Sequence, residues 1–414
     1  MSIFNQLSSL GDLLAEQISG QETILVTPLT VDSMSEVLQL ASLNRWSVVP
    51  TGQGSKLTWG SAAMVNSPQI LLSTKKLNKI LDHAASDLTV TVEAGLQLSQ
   101  LQKELAKFRQ FLPIDPAYRD IATLGGIVST ADTGSYRQRY GSLRDLVLGL
   151  SWLRSDGQLA KAGGKVVKNV AGYDLMKLLS GSYGTLGVIT SVTFRLYPLP
   201  SDSLTLLITG KPEEINLLAQ KIYQSSLTPS MFDLLSAGLV TSLGLGEGLG
   251  LIVRWQTTAE SIDRQKEIVM AEPYSCQFKV YQGEAQDDLW QEIKSTIRHK
   301  DQQSSIICKF GIKSSCGVDF LNSTLAKSLL GQFHFTSGIG YLKTTEIESL
   351  KELRNFLEAQ KGFLTILERS TTENSFESLE PWGYQGNALD LMSKIKQQFD
   401  PLAILSPGRF IGNI

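Results

Sequence analysis

The sequence predicts an α+β protein. A leading domain at 1–200 holds two subdomains (about 20–110 and 111–200), an α+β cap domain with an antiparallel sheet occupies 201–385, and a helical tail closes the chain at 386–414. Three observations predict this. At 414 residues the chain is too long for one ordinary core, so two or three packed units are expected. Short apolar strands alternate with segments of helical period along the whole length. The pair Pro198 and Pro200 punctuates the chain after the first set of elements, which places a boundary there.

In the first subdomain Ile24–Pro28 is an apolar strand, and Val31–Leu43 carries Val37, Leu38 and Ala41 at helical spacing. Trp46–Pro50 is a strand that runs into the glycine loop Thr51–Gly60. Ile70–Ser73 and Leu88–Val92 are further strands, and Leu96–Phe108 is an amphipathic helix. The second subdomain starts near Pro113. There Asp145–Leu153 is a nearly continuous apolar strand, Ser155–Gly157 turns, and Gln158–Ala162 returns as its hairpin mate. Asp174–Leu179 is a helix stopped by Gly181, with Asp174 placed for an N-cap. Val188–Leu196 alternates as a strand.

The cap domain begins with strand Leu204–Thr209, helix Pro212–Gln224, strand Leu249–Trp255 and helix Ala259–Met270. It continues with helix Asp287–Arg298, strand Ser304–Phe310, helix Val318–Leu330, strand His334–Leu342, helix Glu346–Gln360 and strand Gly362–Glu368. That order suits an antiparallel sheet with helices on one face. Helix Asn387–Phe399 and the stretch to Phe410 form a separate closing element.

A net charge of -2 gives no global pull toward nucleic acid or an anionic membrane. The longest apolar stretch, Gly238–Val253, is Gly-rich, broken by Glu247 and too short for a transmembrane segment. Met1–Gln17 lacks the basic and apolar regions of a signal peptide, so a cytoplasmic location is expected, with peripheral attachment through a partner left open. Three cysteines (Cys276, Cys308, Cys316) make no CxxC pair and cannot supply the four thiolates of an ordinary iron–sulfur cluster. With His83, His299 and His334 scattered, no metal site is expected.

Three glycine-rich segments carry the chemistry. Thr51-Gly-Gln-Gly-Ser55 follows a strand and keeps small residues at four of its five positions. Consecutive backbone N–H groups in such a loop can converge on an anion, though a plain tight turn fits as well. The spacing is neither that of a Walker loop nor GxGxxG. The second segment is Thr123-Leu-Gly-Gly126, extended through Thr133-Gly134 to Gly141-Ser142. The third, Gly181-Ser-Tyr-Gly-Thr-Leu-Gly187, imitates a dinucleotide fingerprint. Its helix precedes and its strand follows, which is the reverse of the Rossmann order, so it reads as a helix C-cap and a hairpin entry, with a place along a cofactor left open.

These three loops, in this order, resemble the FAD-binding domain of the vanillyl-alcohol-oxidase/PCMH superfamily. The resemblance is carried by PTGQGSKLTWG at 50–60, by 115–149, by KVVKNVAGYDLMKLLSGSYGTLGVITSVTFRLYP at 165–198 and by FDPLAILSPGRF at 399–410. KNVAGYDL, GSYGTLGVIT and EPWGYQGNALDL are similar to the GlcE family, the FAD-binding subunits of bacterial glycolate oxidase. The resemblance implies a two-subdomain PCMH-type FAD-binding fold. It also implies FAD as cofactor, and a catalytic flavin subunit and an iron–sulfur subunit as partners in a glycolate oxidase complex.

By the same resemblance, Thr51, Gly52, Gln53, Gly54 and Ser55 cradle the FAD pyrophosphate, with Lys56 either adding charge or solvated. Asp115, Thr123, Leu124, Gly125 and Gly126 run along the flavin and ribityl chain. Thr133, Gly134, Gly141 and Ser142 make further pyrophosphate and flavin contacts. Ile189 meets a ring with its backbone, and Arg409 stands near the flavin or in a surface ion pair. Tyr173 reads as a packed aromatic, and Lys165 and Lys168 as exposed.

Many relatives of this kind anchor FAD through a histidine near the first loop. Gln53 stands there instead, so the cofactor is expected to be non-covalent. Catalytic relatives also carry a cap-domain histidine cluster that takes the substrate's hydroxyl proton. Here the nearest text is His334-Phe-Thr-Ser-Gly-Ile-Gly-Tyr341, with one histidine, which reads as an ordinary strand residue. Glu368-Arg369 is the remaining polar pair, either a carboxylate binder or a surface pair. No catalytic residue is assigned. An oxidoreductase acting on CH–OH as a non-autonomous subunit is expected, or else a stand-alone 2-hydroxy acid dehydrogenase.

Overall fold

The computed structural model describes residues 3–18, 23–63, 69–166, 172–300, 305–369, 379–384 and 386–414. Lys168 and the first half of the KNVAGYDL text, 168–171, lie outside the described residues. The chain divides into two units: Met1–Thr133 with Ser142–Leu199 and Tyr384–Ile414, and Gly134–Gly141 with Pro200–Gly383. No helix among the described residues is long and apolar enough to cross a membrane.

Among the described residues the first unit holds two larger sheets and a two-stranded one, Gln110–Phe111 with Tyr197–Pro198. One larger sheet orders Leu13–Gln17, Thr23–Pro28, Gln69–Ser73 and Ser47–Thr51, the last three parallel. Parallel neighbours need a crossover, and helix Val31–Asn44 supplies it. It starts where Thr30 Oγ1 accepts the Ser33 N–H (3.1 Å) and ends at Arg45 in the left-handed region (φ 57). Met34, Val37, Leu38 and Ala41 stand three and four residues apart, and that stripe is the buried face. It shares a core with Ile24, Val26, Val48, Ile70 and Leu72.

The tail belongs to this unit and is not a separate element. Val48 donates to the Ile404 carbonyl (2.8 Å) and accepts from the Ser406 N–H (2.8 Å), so the end of the chain lines the outer edge of Ser47–Thr51.

The second sheet is antiparallel and orders Ile80–Ala84, Thr89–Glu93, Val188–Arg195, Val147–Leu153 and Leu159–Gly163. This moves the expected subdomain boundary from residue 110 to the segment before Ile80. Thr89–Glu93 pairs with Val188–Arg195, about a hundred residues away in sequence. Helix Leu98–Ala106 buries Leu98, Leu101 and Leu105 in the same core as Leu124, Ile127 and Val128 of helix Leu124–Thr130.

The second unit is built on an eight-stranded antiparallel sheet. Its order is Gln277–Tyr281, Asp202–Gly210, Leu249–Thr257, Met231–Leu235, Leu330–His334, Ile339–Thr344, Ile306–Gly311 and Phe363–Glu368. One face carries Leu204, Leu206, Phe232, Leu234, Phe310, Phe333 and Leu342 into an apolar core shared with helices Pro212–Gln224 and Glu348–Ala359. By the two-residue alternation of a strand, Thr205, Asp233, His334 and Tyr341 point the other way. Helix Glu284–Arg298 covers that side, where Trp290 Nε1 donates to Thr205 Oγ1 (2.9 Å). Helices therefore lie on both faces.

Several elements differ from the sequence reading, which lacks strands Leu13–Gln17, Ile80–Ala84, Met231–Leu235 and Gln277–Tyr281. His334–Leu342 is a hairpin, Leu330–His334 and Ile339–Thr344, because Gly338 (φ 67) reverses the chain. The helix expected over Val318–Leu330 is only Gly317–Asn322.

Candidate functional site

Strand Ser47–Thr51 ends at an open cleft. The three glycine segments meet there. Thr51, Gly52, Gln53, Gly54 and Ser55 form one wall, Thr123, Gly125 and Gly126 a second, and Tyr183, Gly184, Gly187 and Ile189 a third, with Arg409 added from the tail.

Each wall has a local reason. Gly54 sits at φ 81, open to glycine at no steric cost. A side chain at Gly52 would collide with that of Thr123, so the first two walls can approach this closely only with glycine there. Thr123 caps helix Leu124–Thr130, its Oγ1 accepting the Gly126 N–H (3.4 Å). Gly187 lies against Trp152, where a Cβ would stand 2.5 Å from the indole.

The N–H groups of Gly52, Gln53, Gly54 and Ser55 meet no protein acceptor among the described residues. Four successive donors in a cleft are a nest for an anion. The lining side chains include Lys56 and Arg409 and no carboxylate. Arg409 Nη2 donates to the carbonyls of Lys56 (2.9 Å) and Leu57 (3.0 Å). Its Nε is buried without a partner among the described residues. Burial pulls the guanidinium below its usual range, opposed by Tyr183. The surface ion pair left open for Arg409 is not formed.

Lys56 is buried, not solvated. Its Nζ pairs with Asp132 (2.7 Å) and lies 5.2 Å from the Trp59 ring. Asp132 also accepts the Ala117 N–H (2.9 Å).

Of the other expected site residues, Leu124 is fully buried in the core and Asp115 is buried outside the lining. Thr133 ends a segment of the first unit, while Gly134 and Gly141 belong to the second. Ser142 donates from its N–H (2.8 Å) and Oγ (2.6 Å) to Asp145, closing a capping box. None of these lines the cleft.

Tyr173 is 89% exposed and so not packed. Asp174 makes no capping bond and pairs instead with Lys177 (2.8 Å). Glu368 is buried, and Arg369 donates to the Leu379 carbonyl (2.7 Å), so they are not a surface pair.

The second unit contains a polar group that the sequence reading missed. Asp233, wholly buried in the apolar strand Met231–Leu235, stands beside His334 in register. Its Oδ1 lies 2.8 Å from His334 Nδ1, and its Oδ2 accepts from Ser135 Oγ and from Gln332 Nε2 (2.8 Å). His334 is therefore not an ordinary strand residue. An ionised Asp233 makes Nδ1 the donor, and Nε2 is buried with no partner among the described residues. The signal was an aspartate in the middle of the apolar run Met-Phe-Asp-Leu-Leu.

The family model for the FAD binding domain matches residues 23–163. Residues 23–163 are thus similar to an FAD-binding domain, and the loop N–H groups that meet no acceptor among the described residues fit that cofactor.

Among relatives, glycolate oxidase subunit GlcD of Bacillus subtilis is 33% identical over 206 residues, 50% of this chain and 43% of the relative. D-lactate dehydrogenase of Archaeoglobus fulgidus is 35% identical over 191 residues, 46% of this chain and 42% of the relative. D-2-hydroxyglutarate dehydrogenase of Xanthomonas citri is 31% identical over 209 residues, covering 50% and 44%. The chain thus spans less than half the length of these relatives. In fold it is similar to a solved alkyldihydroxyacetonephosphate synthase, with a TM-score of 0.70 at 16% identity over 93% of this chain and 75% of the other.

Proposed function

We propose that this chain is an FAD-dependent oxidoreductase acting on the CH–OH group of a 2-hydroxy acid. In this reading it is the FAD-binding subunit of a glycolate oxidase complex that passes electrons to an iron–sulfur partner beside a catalytic flavin subunit. The single observation that carries it is the glycine-lined cleft, where four successive loop N–H groups meet no acceptor among the described residues, as suits a dinucleotide pyrophosphate. The named relatives supply the substrate class. In this assignment Thr51–Ser55, Gly125, Gly126, Ile189 and Arg409 hold the cofactor. Bound FAD supplies the hydride acceptor. The test is the visible spectrum of the purified protein, then anaerobic bleaching by glycolate, alone and with copurified partners. A colourless protein that stays so after incubation with FAD would sink the proposal.

A second reading is a chain that oxidises a 2-hydroxy acid unaided, as the names of two relatives describe for those proteins. Bleaching of the isolated protein by glycolate or D-lactate supports this reading.

A further inference from the structure

We propose that the ring of Tyr183 stacks against a planar ring of the bound dinucleotide. The inference rests on the cleft being the FAD site and goes beyond the glycine-loop contacts assigned to it.

Tyr183 stands in the turn Ser182–Thr185, which closes where the Thr185 N–H donates to the Ser182 carbonyl (3.0 Å). Both central residues have positive φ, 54 at Tyr183 and 78 at Gly184, which is the pattern of a type I′ turn. Gly, Asn and Asp dominate such positions, because a Cβ crowds the following carbonyl and only short polar side chains offset that by bonding locally. A tyrosine gains nothing from the turn itself. Nor does it end a helix: Arg45, Leu88 and Ala131 take a positive φ as helix caps, whereas the helix before Tyr183 is capped by Ser180. The conformation is enforced from outside. The Tyr183 N–H donates to the Ser129 carbonyl (2.8 Å) and the Gly181 N–H to the Val128 carbonyl (2.9 Å). Strain that the surroundings enforce in this way gathers at ligand sites.

The position of the ring supplies the ligand. Tyr183 is half-buried and is the one aromatic residue among the described residues that line the cleft. Its ring centroid lies 5.9 Å from that of Phe410, which does not line the cleft and so supports the ring from behind. Its phenol acts on the Arg409 guanidinium, which lines the same cleft and is tied to the Lys56 and Leu57 carbonyls next to the first loop. FAD carries two planar ring systems, isoalloxazine and adenine, on either side of the pyrophosphate that suits the Gly52–Ser55 N–H groups. Either one gains by stacking on an aromatic side chain.

The experiment measures dissociation constants for FAD and for ADP, which carries adenine and pyrophosphate without a flavin, together with the melting temperature of the FAD-free protein. The variants are Tyr183→Phe, Tyr183→Leu and Tyr183→Asn. Tyr183→Phe keeps the ring and should bind FAD within about twofold of the wild type. Tyr183→Leu and Tyr183→Asn should bind FAD about tenfold more weakly. Tyr183→Asn suits the turn and should melt at or above the wild-type temperature, which separates a lost contact from a disrupted fold. Weakening of FAD and ADP alike would support the stacking and place it at the adenine, and weakening of FAD alone would support it at the isoalloxazine. A Tyr183→Phe variant as weak as Tyr183→Leu would overturn the stacking. FAD uptake by the wild type with unchanged constants in Tyr183→Leu and Tyr183→Asn would overturn this contact alone. Wild-type protein that takes up no FAD would overturn the reading of the cleft and this contact together.

Discussion

Replacing Lys396 by methionine should loosen the tail that carries Arg409. Lys396 Nζ is buried and donates to Thr185 O (3.0 Å), Leu405 O (2.7 Å) and Asp400 Oδ2 (2.7 Å). It therefore ties the third glycine segment to the strand-like end of the tail. Burial pulls its ammonium below the usual range and Asp400 opposes that shift, as for a charge kept only by its partners. Methionine fills the stem but strands the Asp400 carboxylate, which is 1% exposed. Breaking a buried pair from one side costs roughly 3–5 kcal/mol. Asp400 keeps the N–H groups of Ile404 (3.2 Å) and Leu405 (2.8 Å), which places the loss near the lower end, about 3 kcal/mol. Urea unfolding followed by tryptophan fluorescence, with flavin release recorded alongside, measures it. Adding Asp400→Asn removes the stranded charge and should restore part of the loss. A Lys396→Met loss under about 1 kcal/mol, or a double variant no better than the single one, would refute the reasoning.

Three other outcomes are expected. Gly52→Val places a side chain into Thr123 and displaces the loop, so the purified variant should be colourless, and a yellow one with wild-type affinity would contradict the cradle. The lining contains no histidine or cysteine, so acid precipitation should release all the flavin into the supernatant, and colour retained in the pellet would show a covalent bond. Burial pushes the Cys308 thiol up to about 12, so a thiol reagent at neutral pH should reach it only after denaturant is added, and rapid labelling of all three cysteines in native protein would contradict that burial. The unfolded thiol ionises first, so the stability Cys308 contributes should be present below pH 9.0 and lost as pH rises through about 12.

What was legible in the sequence was local. Met34, Val37, Leu38 and Ala41 announced a buried helical stripe, and the small residues of Thr51–Ser55 announced a loop with open N–H groups. What was not legible depends on partners far away in the chain. Thr89–Glu93 read as an element of the first subdomain because its partner, Val188–Arg195, lies about a hundred residues on. Lys56 read as either a charge at the loop or a solvated residue because nothing near it reveals Asp132, and Gly134 and Gly141 read as cofactor contacts because nothing near them reveals that Ser135 meets Asp233.

The same limit bears on the catalytic base. A short motif reports a base only when its parts are neighbours in sequence. Asp233 and His334 are joined across two strands, so the missing histidine cluster did not exclude one. Alternation does carry part of the information. Phe232, Leu234 and Phe333 face the core, which forces Asp233 and His334 onto the opposite face, and a buried carboxylate there must find a donor. Parity and burial therefore point to a pairing before the partner is known. The pairing satisfies that carboxylate inside the second unit. The choice between the two proposed readings turns on bleaching of the isolated protein by glycolate or D-lactate.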